Sequence, residues 1–538
     1  MSKKLLLILL LAAALRIYDI GGNPKSMYGD EVTLVYDAYS LFITGQDQKG
    51  ESWPLFFSMG GGRPPAYIYA TIPFTAIFGP SAEAARATSV LSGIGIVFLI
   101  YLITRKLVSE KIALLAALIA SVTPWELNLS RGGFESHFAL FLVLLGLYFM
   151  LLAKKNQIFY LLSSIFFALS IQSYLTFVLT IPLFILLLIF FLRGRRLRIS
   201  PILILSILIL TASFWFSINT SISRGSKDRF GNLFIYNQPQ LQSLVSDKVT
   251  KERVFTPLSK ELNPIFHNRY IEFTSLFFQN YVENFGVDFL ILNGDGNPRH
   301  NPTNMGQIYW VGFPLLALGI IFLGRGNRRN LYFLSGWLLI APIASSLVGH
   351  PHAIRASFML PPLIILIACG LYLLLGLSGR KAKLLKSALL ILFLIQLPVF
   401  VYRFYVLSPN LNTSFWSYSA KVASDAAVES KNKYEHIILS ASIPDMEFAY
   451  PAYAKIEPKD VQAQNRGKAK IGEFEFLKYG NVYIGSIPPG RIKETMDSLP
   501  GSVLYLGIEA DRGQIDNEKI ERDKDGTILF VTSEREFR

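Results

Sequence analysis

Apolar residues fall in repeated runs separated by short clusters of Lys and Arg, and each run is long enough to cross a bilayer, which takes about 20 residues. Candidate spans lie near 4–20, 83–104, 111–127, 134–153, 158–174, 176–192, 199–218, 307–323, 331–348, 357–377 and 386–404, eleven helices in all. The stretch 158–192 is too long for one crossing of roughly 30 Å of hydrocarbon. The polar Gln172-Ser173-Tyr174 near its middle therefore predicts a hairpin turn. This pattern predicts an all-α polytopic membrane protein over 1–404.

After Tyr405 the pattern changes to mixed charge. An amphipathic helix is expected through 416–431, and short strands at Ile437-Ile438-Leu439 and Val503-Leu504-Tyr505-Leu506, with Gly and Pro punctuating the rest as in Ile487-Pro488-Pro489-Gly490. Residues 405–538 thus read as a small soluble α/β domain. No phosphate loop, dinucleotide fingerprint, metal-ligand spacing or repeat of fixed period is found there.

Composition sharpens the class. Of 538 residues, 51% are hydrophobic and only 17% charged, which excludes an ordinary soluble enzyme and a disordered chain. The net charge of +14 would suit nucleic acid, but the basic residues sit between apolar runs, so it reports topology and no nucleic-acid partner is expected. Lys3/Lys4, Arg105/Lys106/Lys111, Lys154/Lys155, Arg193/Arg195/Arg196/Arg198, Arg325/Arg328/Arg329 and Arg380/Lys381/Lys383/Lys386 occupy alternate loops, which the positive-inside rule assigns to the cytoplasm. The loops 21–82, 219–306 and 349–356 and the tail after 405 are then outside, with the N-terminus inside, in a plasma membrane. The run Leu5–Leu15 with Ala12-Ala13-Ala14 imitates a signal peptide, but cleavage would detach the following loop from its anchor, so a retained helix is expected. The lone Cys369 lies inside a span and excludes an internal disulfide framework.

Hydrophobic helices explain residence in the membrane, so chemistry is sought in the polar clusters outside. Tyr28-Gly29-Asp30-Glu31 opens a stretch through Val32, Val35, Tyr36 and Tyr39 to Gly45 whose spacing predicts a short amphipathic helix on the membrane surface. Capping alone could account for Asp30 and Glu31. Alternatively, Asp30 accepts a proton from an acceptor hydroxyl or amine as general base. Further on come Gly45-Gln46-Asp47, Trp53-Pro54-Leu55, and Gly60-Gly61-Gly62-Arg63-Pro64-Pro65 before Tyr67 and Tyr69. Arg63 stands where a lipid-linked phosphate would lie, though an interfacial Arg often only reaches for head groups.

Arg131-Gly132-Gly133-Phe134-Glu135-Ser136-His137 joins two spans, so Arg131, Glu135 and His137 either face one cavity or form an ion-paired turn. Asn293-Gly294-Asp295-Gly296-Asn297-Pro298-Arg299-His300-Asn301-Pro302 predicts a hydrogen-bonded turn carrying Arg299 and His300. In His350-Pro351-His352-Ala353-Ile354-Arg355, Arg355 is a second phosphate candidate, since a guanidinium holds two phosphate oxygens at once. His350 and His352 could ligate a divalent metal with an external carboxylate, but spacing identifies no third ligand; no nucleotide is required and no other cofactor is indicated.

The order Asp30-Glu31, short helix, Arg63-Pro64-Pro65, Tyr67 and Tyr69, Phe78-Gly79-Pro80-Ser81 and then Arg86 resembles the GT-C class of membrane glycosyltransferases, most of all the protein O-mannosyltransferase and lipid A aminoarabinose transferase group. The resemblance is clearest over 1–155 and does not cover the C-terminal domain. It implies a sugar moved from a polyprenyl-phosphate carrier to a glycan, lipid or protein acceptor on the outer face, with inversion. It places the catalytic carboxylate on Asp30 with Glu31 beside it, and donor phosphate on Arg63; Arg355 and Arg299 are further phosphate candidates by their own chemistry. Asp47, Tyr67, Arg131, Glu135, His137, His300, His350 and His352 are then candidate substrate contacts. The competing class is a lipid or solute transporter, which needs broken helices and midplane polar groups; Gln172 and Pro342 are the residues that would serve it.

Overall fold

The computed structural model describes residues 2–59, 62–153, 156–192, 200–223 and 234–535. Gly60-Gly61 of the first loop and the clusters Lys154/Lys155 and Arg193–Arg198 lie outside the described residues. The chain divides into two compact units, Met1–Ile17, Gly61–Ala66 and Ser89–Val401 in the first and Tyr18–Gly60, Tyr67–Thr88 and Tyr402–Arg538 in the second.

A helix lies at each of the eleven positions expected to span. The first ten helices in chain order are α1 (Lys3–Ile17), α2 (Gly29–Thr44), α3 (Ala66–Phe78), α4 (Ala82–Leu107), α5 (Glu110–Val122), α6 (Pro124–Leu129), α7 (Glu135–Leu152), α8 (Ile158–Ile171), α9 (Phe177–Phe191) and α10 (Pro201–Ser223). The later apolar helices are Gly312–Gly326, Arg328–Ile340, Leu360–Gly376 and Arg380–Tyr402. Among the described residues five stretches are long and apolar enough to cross a membrane: Ala82–Leu107, Glu135–Leu152, Pro201–Thr220, Ser357–Gly376 and Arg380–Leu411. The turn at Gln172 is present, and its amide donates to the Ser213 carbonyl and the Ser213 and Ser217 hydroxyls of α10, so it is satisfied within the bundle. Helix 328–340 ends before Pro342 and resumes only as Ile343–Ser346, as a proline lacking its N–H dictates.

In the first unit the span Ser357–Gly376 is 78% buried, against 11% for Pro201–Thr220. The former is therefore the bundle's central helix and the latter leaves its apolar surface to lipid. Helices 312–326 and 360–376 cross with backbones in contact at Gly319 and Gly370. A Cβ on Gly370 would fall on the Leu315 carbonyl oxygen, and one on Gly319 on that of Leu366.

The second unit holds a seven-stranded sheet: β1 (His436–Ser440), β2 (Ala469–Ile471), β3 (Phe474–Tyr479), β4 (Val482–Gly485), β5 (Val503–Gly507), β6 (Lys519–Arg522) and β7 (Ile528–Arg535), in the order β2-β3-β4-β1-β5-β7-β6. The central trio β4-β1-β5 is parallel and the flanking pairs antiparallel. Buried on both faces, β1 and β5 are the continuous apolar runs seen in the sequence. The expected helix occurs at Tyr418–Ser430.

The first loop is more ordered than its composition suggests, because it contains α2 and α3. Helix α2 does not lie on a surface as an amphipathic ribbon. Val32, Leu34, Val35, Tyr36, Ala38 and Leu41 are all buried, and it packs on helices 446–453 and 458–466. The Tyr453 hydroxyl accepts from Met27 N, Tyr36 donates to the Ile456 carbonyl, and the Gln462 amide reaches Ser40, Thr44 and the Asp47 carbonyl. Gly45 ends α2 in the left-handed region at φ +69°, its N–H donating to the Leu41 carbonyl.

Candidate functional site

In the first unit, Arg63, Glu135, Tyr174 and Arg355 come together from four separate segments. Arg63 is 4% exposed, and its Nη1 lies 3.5 Å from Glu135 Oε1 at the start of α7. The 172–174 turn is fastened beside them: Ala66 N donates to the Gln172 carbonyl and the Ser173 hydroxyl to the Glu135 carbonyl. Tyr174 faces Arg355 and Glu135. Its hydroxyl is hydrogen-bonded with Arg355 and Thr176.

Adjoining Arg355 is a second cluster built on Asp295. Its Oδ1 accepts from Asn297 N (2.8 Å) and its Oδ2 from Ala353 N (2.7 Å), so one carboxylate ties the 293–302 turn to the 350–355 loop. His300 Nδ1 lies 3.1 Å and His352 Nδ1 3.9 Å from that same Oδ2, and the two imidazole centroids are 4.2 Å apart. Phe134 meets the His300 ring edge-on at 6.0 Å. Burial, with the charges of His300, Arg355 and Arg299, holds His352 well below its ordinary pKa, Asp295 alone pulling it up. Burial works to raise Asp295, but the hydrogen bond and charge of His300, the His352 charge and the Ala353 N–H outweigh it and hold the carboxyl below the usual range.

Arg131 and His137, which the sequence leaves as cavity residues or part of an ion-paired turn, are buried within a hydrogen-bonded and ion-paired network. Arg131 Nη1 donates to the Leu15 and Arg16 carbonyls and closes the end of α1. His137 Nε2 lies 3.2 Å from Glu126 Oε1, and Glu126 in turn pairs with Arg16, whose guanidinium also donates to the Ala12, Ala120 and Ser121 carbonyls. Arg16 and Glu126 escaped the sequence reading because each sits in an apolar run with no local partner. His350 is exposed and pairs with Glu283 at 3.0 Å, so it does not join His352.

In the second unit, Asp30 and Glu31 occupy the first turn of α2, but neither is its N-cap. That position is Tyr28, which makes no side-chain capping bond. Capping therefore does not account for the pair. Glu31 is fully buried against Arg86, with Nε–Oε1 and Nη2–Oε2 both at 3.0 Å, and Arg86 also donates to the carbonyls of Ile20, Pro24 and Ser26. Trp416 covers the guanidinium at 5.4 Å, and Tyr28 meets Trp416 edge-on. Asp47 holds its own turn, Oδ1 accepting from Lys49 N and Glu51 N, while burial pushes its pKa up. Tyr67 is buried and donates to the Ala85 carbonyl. Glu31, Asp47 and Tyr67 thus have evident structural work, and Asp30 is half-buried at the helix's positive end.

Residues 62–218 match the sequence model of the family described as dolichyl-phosphate-mannose-protein mannosyltransferase. The fold is similar to that of ArnT from Cupriavidus metallidurans bound to undecaprenyl phosphate, with a TM-score of 0.56 and 13% identity over 98% of this chain and 97% of that one. An Archaeoglobus fulgidus oligosaccharyltransferase tethered to an acceptor peptide aligns over 84% of this chain at 15% identity, with a TM-score of 0.47. The chain spans 62% of that protein's length. No curated protein sequence matches the chain. The likeness thus extends over almost the whole chain in fold, to ArnT, and over 62–218 in sequence, to the mannosyltransferase model.

Proposed function

We propose that this chain, with its GT-C fold and a mannosyltransferase signature over 62–218, is a glycosyltransferase that moves a sugar from a polyprenyl-phosphate donor to a hydroxyl or amine acceptor on the outer face of the membrane. The observation that carries the reading is the convergence of Arg63, Tyr174 and Arg355 around Glu135, next to the Arg299–His352 cluster. A departing lipid phosphate needs positive charge held ready where its own negative charge develops. Arg63 and Arg355 are the donor-phosphate contacts, with Arg299 behind them. Glu135 keeps Arg63 aimed when no phosphate is present.

Asp30 is the general base. It takes the proton from the acceptor, the acceptor oxygen or nitrogen attacks the anomeric carbon, and the carbon–oxygen bond to the phosphate breaks with its electron pair leaving on the carrier. Attack opposite the leaving group inverts the anomeric centre. Glu31 is not the base, since both its oxygens are taken by Arg86. The acceptor class is a cell-envelope glycan, lipid or protein.

The test is transfer of radiolabelled sugar from a polyprenyl-phosphate donor in proteoliposomes. Asp30→Asn is expected to lower turnover by about 10²–10⁴-fold. Arg63→Ala and Arg355→Ala each cost about 10²–10³-fold, with the loss shared between kcat and donor affinity. Full activity in Asp30→Asn removes the base assignment. Translocation of the donor without a new glycosidic bond replaces the whole reading with a transporter.

A further inference from the structure

We propose that Asp295, His300 and His352 form a three-ligand site for a zinc-class divalent cation, pinning the 293–302 turn to the 350–355 loop. Each residue offers one ligand atom, and the three atoms all lie within 4.8 Å of one another. Two of the separations are known individually: Oδ2 of Asp295 stands 3.1 Å from His300 Nδ1 and 3.9 Å from His352 Nδ1. Metal–nitrogen and metal–oxygen bonds of about 2.0–2.2 Å at tetrahedral angles need donor atoms about 3.3–3.6 Å apart.

Ordinary hydrogen bonding explains only part of this arrangement. Capping of Asn297 N and Ala353 N accounts for the Asp295 carboxylate, and one imidazole donating to it accounts for His300. It leaves His352 over. Its Nδ1 is shut off from solvent, makes no hydrogen bond and still points at the oxygen that His300 already contacts. A buried ring nitrogen without a partner is costly, and a cation shared with Asp295 and His300 would satisfy it.

The backbone that carries two of the ligands, and one carboxylate oxygen, are tied down from outside the trio. The Asn128 amide donates to the His300 carbonyl, the Asn301 amide to the Asp295 carbonyl at 3.2 Å, and Ala353 N to Asp295 Oδ2. This is the supporting shell that metal sites need. Two imidazoles and one carboxylate select zinc or cobalt over magnesium or calcium, which take oxygen ligands. Three protein ligands leave a fourth position open.

The site is tested on the full-length protein in nanodiscs, stripped with a chelator and titrated separately with Zn²⁺, Co²⁺ and Mg²⁺. The expected result is one saturable equivalent of Zn²⁺, a visible absorption band on Co²⁺ binding, and no competition from Mg²⁺. His352→Ala should weaken Zn²⁺ binding by at least about tenfold, and His350→Ala should leave it unchanged. Asp295→Asn is read only beside His352→Ala, because losing the carboxylate also unties the turn. Absence of saturable Zn²⁺ binding, equal competition by Mg²⁺, or unaltered binding in His352→Ala would overturn the site. The measurement is of metal stoichiometry, so its outcome is independent of whether sugar transfer is observed.

Discussion

Glu31 and Arg86 show how neighbouring residues of one type acquire different tasks. Asp30 and Glu31 are adjacent acids in one helical turn, and the sequence offers nothing local to separate them. What separates them is a guanidinium 55 positions away, placed on both Glu31 oxygens and fully buried with them. Removing one partner of a buried pair strands the other charge. Glu31→Gln should therefore destabilise the fold by about 3–5 kcal/mol, measured as a drop in the midpoint of thermal unfolding in detergent. An unchanged midpoint would show that the three carbonyls on Arg86 suffice alone.

His352 predicts a pH dependence of known sign. Its neighbours are His300, Asp295, Arg299 and Arg355, and its folded pKa lies well below the ordinary 6.5. As pH falls through 6.5 the opened loop takes up a proton that the folded loop refuses, so anchoring of 349–356 is complete above 6.5 and weakens progressively below it. Amide exchange in that segment, with chelator present and corrected for intrinsic rates, should quicken between about pH 7.5 and about pH 5.5. In His352→Gln that difference should vanish. The same residues mark how far sequence reading reached. Arg63, Arg299, Arg355 and both histidines were legible as polar punctuation between apolar runs, but Asp295 read only as a turn-former. Its role depends on a loop that follows some fifty residues later, and spacing does not encode such a meeting.

At the scale of elements, the helices were the most legible feature, because apolar runs bounded by charge have few alternative structures in a bilayer. Helix α3 was the exception. Its 13 residues carry Pro73 in their interior and two tyrosines near their start, and they read as loop. Helix α2 was visible, but its environment was not: its spacing predicted an amphipathic helix on the membrane surface, yet even its polar Thr33, Asp37 and Ser40 are buried. The crossing at Gly319 and Gly370 was equally hidden, since a glycine in a span carries no sign of what touches it. Gly370→Ala should force helices 312–326 and 360–376 apart and cost about 1–3 kcal/mol. Gly376→Ala, where a Cβ meets nothing within 4 Å, is the control. Equal melting of the two variants would argue against the backbone contact.

At the scale of the molecule, a change from apolar runs to mixed charge announced a separate C-terminal fold, and its two central strands were recognisable as unbroken apolar stretches. That this fold shares a compact unit with residues 18–60 and 67–88 was not foreseeable. The bonds that join them, from Tyr36 to Ile456 and from Gln462 to Ser40, link positions 420 and 422 residues apart. A chain truncated after Tyr405 should keep its bundle helices but expose α2 to protease, with cleavage mapped by mass spectrometry between Gly29 and Thr44. Protection equal to that of the full chain would mean that α2 is ordered without its C-terminal partners.

Those long-range bonds also impose an order of events in the cell. At a ribosomal pace of about 5–20 residues per second, Tyr36 is synthesised roughly 20–80 s before Ile456 exists to receive it. Through that interval α2 lacks its C-terminal partners, so the birth of that helix and its burial are separate moments, divided by most of the time of translation.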